Sequence, residues 1–215
     1  MALDVASVRR DFPVLSRMID GKPLVYLDSA NTSQKSLAVI GAMDSFLRTG
    51  YAPTNRSAYR LAAEATDMFE GARAKVARFI NARRPEEVVF TKNATEALNL
   101  VARSWGGANL GPGDAVLLTH MEHHANIVPW QMLAAEKGFE IRWVPLTADG
   151  LLDLSGLDRL LDGARAFSFT AMSNVLGTIN PVADLVAAAH RHGAVAVVDG
   201  CQSVPHMPTD VQDWD

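Results

Sequence analysis

Two short runs of this chain are apolar at consecutive positions rather than in alternation: residues 115–119 (AVLLT) and 194–199 (AVAVVD). A strand that is apolar on both faces must be covered on both faces. That requirement points to a largely parallel sheet held between helical layers. The surrounding sequence agrees, since further β-rich runs alternate with helical patterns. Strands are predicted at residues 24–28 (LVYLD), 88–91 (VVFT), 115–119, 140–146, 166–171 and 194–199. A long amphipathic helix is predicted over 62–80, where Ala65, Met68, Phe69, Ala72, Val76 and Phe79 recur at helical spacing. Further helices are expected at about 95–105, 127–137 and from Pro181 to near His192, with Gly193 as C-cap.

Composition narrows the function classes. Of 215 residues, 48% are hydrophobic and 20% charged, which is ample material for a core and excludes intrinsic disorder. A net charge of −4 disfavours a nucleic-acid partner. The single cysteine, Cys201, excludes an internal disulfide framework and fits a reducing, cytoplasmic setting. The N-terminus lacks the pattern of a secretory signal, and no apolar stretch is long enough to span a bilayer. No repeat, low-complexity tract or linker interrupts the chain.

Ligands of open parallel sheets sit beyond the carboxyl ends of the strands, so the residues that follow each strand are the candidates. After VVFT comes Lys92-Asn93-Ala94-Thr95-Glu96 at a helix start. Its amides and the Thr95 hydroxyl suit a phosphate, while Asn93 and Glu96 equally suit a capping box. After AVLLT come His120, His123 and His124 in a turn, without the helical spacing or companion Cys or Asp of a metal site. No metal is expected there. An imidazole can instead stack on a heteroaromatic ring, shuttle a proton, or cap a backbone group. Asn174 follows the run 166–171, as a donor–acceptor amide or as an ordinary turn residue. Asp199 ends AVAVVD, where a carboxylate needs a partner such as a protonated pyridine nitrogen, or serves as a turn cap. Cys201 reads as a small buried apolar residue. An anion cradle, a flat imidazole, an amide and a carboxylate together describe pyridoxal 5′-phosphate. No GxGxxG or Walker pattern supports a nucleotide.

The motifs Tyr26-Leu27-Asp28-Ser29-Ala30, Asn93-Ala94-Thr95-Glu96-Ala97, Glu122-His123-His124-Ala125-Asn126, Ser173-Asn174-Val175-Leu176-Gly177-Thr178 and Asp199-Gly200-Cys201-Gln202-Ser203 carry a family resemblance. The chain resembles the class V aminotransferase-like, pyridoxal-phosphate-dependent enzymes, and among them the Suf-type cysteine desulfurases. The resemblance implies an α/β fold of the aspartate-aminotransferase-like type. Its large domain has a mostly parallel seven-stranded sheet, incomplete here at the C-terminus. Residues 1–25 would be an N-terminal segment and 26–215 the cofactor-binding large domain.

The resemblance also assigns roles. Ala94 and Thr95 would bind the cofactor phosphate, His123 would stack on the ring and move protons, and Asp199 would pair with the ring nitrogen. Gln202 would hydrogen-bond the ring oxygen. Asn174 would lie beside that oxygen and the substrate carboxylate, with Ala30 also at the substrate. The implied reaction converts L-cysteine to L-alanine with an enzyme persulfide. The sulfur passes to a Suf-type acceptor protein for iron–sulfur cluster assembly, and the enzyme is expected to be a cytoplasmic homodimer.

Two segments depart from the family pattern. Asn55-Arg56-Ser57 and Tyr59 stand where His, Arg, Gly and a second His are usual, and Ala171-Met172 stands where a His often precedes Ser-Asn. The Schiff-base lysine, the persulfide cysteine and the substrate-carboxylate arginine are expected beyond residue 215, so the 215-residue segment is expected to be inactive by itself. A kynureninase- or aminotransferase-type relative, and a non-catalytic shortened protein, are the alternatives.

Overall fold

The computed structural model describes residues 3–55 and 57–215. They form two compact units, one ending at Arg73 and the other running from Ala74 to Asp215.

In the first unit, α1 (Val5–Arg10) starts at Asp4, whose carboxylate accepts from the Ser7 amide. A two-residue hairpin pairs β1 (Met18–Ile19) with β2 (Lys22–Pro23), turning through Asp20 and Gly21 at positive φ. Then follow α2 (Leu37–Ser45), capped by Ser36, and most of α3 (Arg60–Phe79). Residues 24–28, predicted as a strand, belong to neither sheet. Val25 and Leu27 are exposed, Leu27 by 91%, while Leu24 and Tyr26 are only half-buried, so the run has one partly covered face and no strand to pair with in either sheet. Arg56, in one of the two departing segments, lies outside the described residues.

The second unit holds a four-stranded parallel sheet. Its strands are β3 (Ala115–Thr119), β4 (Glu140–Val144), β5 (Ala164–Thr170) and β6 (Val195–Asp199), in the spatial order β4-β3-β5-β6. Ala115 pairs with Glu140 on one side of β3, and Val116 with Ala166 on the other. The β5–β6 register runs from Ala166↔Val195 to Thr170↔Asp199. The described residues thus hold four strands of the seven-stranded sheet expected. Residues 88–91 are not among them: they lie outside both sheets, with Val89 67% exposed. Apolar, β-prone sequence reports a preference for burial; a ladder also needs a free edge to pair with.

Before β3 comes α4 (Ala94–Val101), which continues through a wider turn into α5 (Gly107–Asn109); α6 (Val128–Lys137), α7 (Leu157–Leu161) and α8 (Val182–Arg191) connect the strands. They cover both faces of the sheet. On one face Leu117, Phe167 and Phe169 pack with Leu161, Leu185 and Ala189 of α7 and α8. On the other, Val116, Leu118 and Ala166 pack with Trp130 and Leu133 of α6, Ala102 and Leu110. Consecutive residues of β3 therefore enter opposite cores, which is why its whole sequence is apolar. Gly106 lets the helical segments on this second face pack closely. A Cβ there would stand 2.9 Å from the tip of Leu133 and 3.0 Å from the Trp130 ring, so any larger residue would have to displace them.

The C-terminal segment is fastened to the end of α3. Val211 N–H donates to the Ile80 carbonyl, Asn81 Nδ2 to Asp210 and Gln212 Nε2 to the Asn81 carbonyl.

Candidate active site

From β3 the chain moves outward to β4, then returns past β3 to β5 and on to β6. The direction of winding reverses between β3 and β5, and in open parallel sheets ligands bind beyond the carboxyl ends at such a reversal. The turn 120–126 emerges from β3 at this point.

The turn is held by a buried polar network. Glu122, itself buried, accepts at Oε1 from the Thr119 hydroxyl (2.5 Å) and the Thr170 amide (3.0 Å), and at Oε2 from Asn126 Nδ2 (2.7 Å). The fully buried Asn126 accepts at Oδ1 from the Ser168 hydroxyl (2.6 Å) and Trp130 Nε1 (3.4 Å). Burial pushes the Glu122 carboxyl up to about 7. The hydrogen bonds from Thr119, Asn126 and Thr170 oppose that rise, and the Asp199 charge adds to it.

His123 lies between the two anchored residues and is exposed. Its Nδ1 accepts from the Ala125 amide at 3.1 Å, which places the proton of a neutral ring on Nε2. His124 stands nearly edge-on to it, at 85° between ring planes, and His120 packs against Trp143. The three rings thus point to different surroundings. Among the described residues, no group of three or more His, Cys, Asp or Glu is placed to hold a metal ion.

Asp199 is buried at the end of β6, beside Thr170, and its Oδ1 accepts from the Cys201 amide at 2.9 Å. Cys201 is exposed, not buried as its sequence context suggested, because the chain leaves the sheet into an open turn at Gly200. Burial of part of its thiol and the Asp199 charge raise the thiol's pKa, the opposite of an activated thiolate. Gln202 is half-buried in the same turn.

At the start of α4, Asn93 Oδ1 accepts from the Glu96 amide at 2.9 Å, and Glu96 reaches back to the Lys92 amide at 2.6 Å. The return bond thus falls one residue before Asn93, where a capping box would place it on Asn93 itself. The first-turn amides of Ala94 and Thr95 remain directed out of the helix. This helix start packs against the turn 124–126, so an anion held there would lie beside His123. Asn174 is exposed at the tip of a turn fixed by Ser173, whose hydroxyl accepts from the Val175 and Leu176 amides. Ala30 belongs to the first unit, in the turn where the Asn31 and Thr32 amides donate to the Asp28 carbonyl.

A concavity of about 740 Å³ is lined by Phe79, Asn81, Val204 and Trp214 among others, and by none of these residues. The α4 start with its open amides, the imidazole after β3 and the carboxylate at the end of β6 hold the chemistry.

The Aminotransferase class-V family profile matches residues 25–215. The chain belongs to that family. Among its class-V relatives, a cysteine desulfurase of Klebsiella pneumoniae subsp. pneumoniae is 54% identical over 213 residues, covering 99% of this chain and 52% of the relative. The apo structure of cysteine desulfurase from Thermococcus onnurineus NA1 superposes with a TM-score of 0.91 at 36% identity, covering all of this chain and 52% of that one. The cysteine desulfurase CsdA (S-sulfonic acid) from Escherichia coli gives 0.87 at 37% identity, over 53% of its length. This class-V chain thus spans about half the length of the relatives it matches, and the fold expected from the motifs is the one found.

Proposed function

We propose that this chain supplies most of the cofactor-binding domain, residues 26–215 after an N-terminal segment, of a pyridoxal-phosphate-dependent cysteine desulfurase. The observation that carries the reading is that His123 follows the carboxyl end of β3 and Asp199 that of β6, on either side of β5, with the α4 start packed against the His123 turn. The relatives' shared activity supports it.

The residues fit the group. A dianionic phosphate matches the open Ala94 and Thr95 amides, the Thr95 hydroxyl and the positive end of the helix. A buried carboxylate with an amide donor on one oxygen matches a ring N–H. When bound, pyridoxal 5′-phosphate supplies an electron sink for bonds at the substrate's α-carbon.

This chain's residues then have distinct tasks. Asp199 keeps the ring nitrogen protonated. His123 would stack on the ring and move a proton through Nε2, the nitrogen its own turn leaves open. Gln202 would hydrogen-bond the ring oxygen, Asn174 would lie beside that oxygen and the substrate carboxylate, and Ala30 would border the substrate. L-cysteine leaves as L-alanine, and its sulfur is carried as an enzyme persulfide to a Suf-type acceptor protein for iron–sulfur cluster assembly. The Schiff-base lysine and the persulfide cysteine belong to sequence beyond residue 215. The working enzyme is a cytoplasmic homodimer, and residues 1–215 alone turn over no cysteine.

The test is alanine release from L-cysteine by the complete enzyme. Asp199→Ala is expected to abolish it. His123→Ala should cost about 10²–10⁴-fold and His124→Ala far less. Equal, small losses in all three variants overturn the reading. Borohydride treatment of residues 1–215 with pyridoxal phosphate should give only scattered, substoichiometric lysine labelling.

A further inference from the structure

Glu122 and Asn126 bracket His123 in the chain, and both are anchored where the turn cannot move without breaking buried bonds. The anchors come from three elements. Thr119 ends β3, Ser168 and Thr170 lie on β5, and Trp130 is on α6. A second set of bonds shapes the turn itself: Met121 N–H donates to Thr119 Oγ1, Asn126 N–H to the His123 carbonyl, and Ala125 N–H to His123 Nδ1. A buried carboxylate is a costly anchor, because an unpaired charge in an apolar interior must be desolvated. Here each oxygen of Glu122 meets donors, and two of the three, the Thr170 amide and Asn126 Nδ2, can only donate. The arrangement fixes the direction of every bond in the network, and with it the orientation of Asn126.

We propose that Glu122 is a positioning residue for this site: through Asn126 it clamps both ends of the turn and holds the His123 imidazole in one orientation and one tautomer. The proposal rests on the reading of His123 as the ring-facing base. It assigns Glu122 no contact with substrate or cofactor.

The chemistry of the network supplies a selective test. In Glu122→Gln, keeping the acceptor toward Thr119 and Thr170 turns the new NH₂ against Asn126 Nδ2, donor against donor. Turning Asn126 over instead sets its NH₂ against the Trp130 N–H. Adding Asn126→Asp removes the conflict. The carboxylate so introduced accepts from the new side-chain amide at position 122, the Ser168 hydroxyl and the Trp130 N–H, and the network keeps its single negative charge.

In the complete enzyme, Glu122→Gln is expected to lower kcat by about 10²-fold, the scale of a misplaced reacting group, with KM for cysteine little changed. The double variant Glu122→Gln/Asn126→Asp should recover most of that loss. A readout without cofactor separates this from the functional reading. Imidazole ¹⁵N NMR of the complete, cofactor-free protein should show His123 as one Nε2–H tautomer in the wild type, a mixture in Glu122→Gln, and one tautomer again in the double variant. If Glu122→Gln does not fold, Ser168→Ala removes a single donor from Asn126 and should mix the tautomers to a smaller degree. An unchanged tautomer in Glu122→Gln or Ser168→Ala, or a double variant no better than Glu122→Gln, overturns the proposal. The expected NMR pattern in a protein that releases no alanine would overturn the functional reading and leave the clamp standing.

Discussion

The runs Val88-Val89-Phe90-Thr91 and Ala115-Val116-Leu117-Leu118-Thr119 look alike in sequence, and each leads into a candidate cofactor contact. In the structure they part company. Residues 115–119 are fully enclosed and hydrogen-bonded on both sides, between β4 and β5. Residues 88–91 lie outside both sheets and leave Val89 and Phe90 exposed. The His123 turn therefore starts from a fixed platform, whereas the α4 start is set by its own cap and its packing against the turn. The difference teaches that an apolar run specifies what it wants covered, and only a neighbouring edge makes it a strand.

The sharpest way to break the contrast is a charge in each run. Leu117→Asp places an unpaired carboxylate in a closed core and should cost on the order of 4–5 kcal/mol, enough to unfold the second unit. Val89→Asp in the same chain should change stability by no more than about 0.5 kcal/mol. Denaturant melts of the two variants decide it, and similar losses would mean that 88–91 is as enclosed as β3.

Next in size is the pH dependence at the end of β3. The Glu122 carboxyl is raised from 4.5 to about 7 in the folded chain. Below pH 4.5 it is protonated in both states and carries no penalty. As pH rises through about 7, ionising it in the interior costs stability, on the order of 3 kcal/mol in all. Wild type should therefore lose stability between about pH 5 and 7.5 relative to Glu122→Gln, whatever the offset between the two curves. Parallel curves would show that Glu122 titrates like an exposed acid.

A smaller loss than those of Leu117→Asp and the Glu122 titration belongs to the α4 start. Asn93→Ala removes the acceptor for the Glu96 amide and should cost about 1 kcal/mol, read from thermal melts. A loss as large as that of Leu117→Asp would mean that α4 depends on its cap as β3 depends on its ladders.

Local signals make much of this legible. The predicted strand at 115–119 matches β3, and those at 140–146, 166–171 and 194–199 fall on β4, β5 and β6 to within two residues at each end. The long helix and the one opened by Pro181 are equally readable, because apolar spacing and Pro, Asn or Gly punctuation act within a few residues. The short helix α7 leaves no such trace, since five residues carry little periodicity. His123, Asp199, Ala94 and Thr95 stand out because they end or follow runs predicted as strands, although 88–91, before Ala94 and Thr95, forms none. The Glu122 network does not, because Asn126 and Ser168 are 42 positions apart and Glu122 and Thr170 are 48. One sign of it is visible: Ser168 and Thr170 interrupt a run that is otherwise apolar and buried from Ala166 onward, and a hydroxyl in such a place needs a partner.

Gly106 gives the fold a narrow manufacturing tolerance. The missing Cβ seats the helical layer directly on Leu133 and Trp130, and the Trp130 indole in turn touches Asn126. A single added methyl at residue 106 would act like a shim beneath a bearing: the displacement passes through one rigid indole to the turn that carries His123, with no residue of the strand ends altered. The fit of the histidine is thus set partly from the far side of the helix, by an atom the chain leaves out.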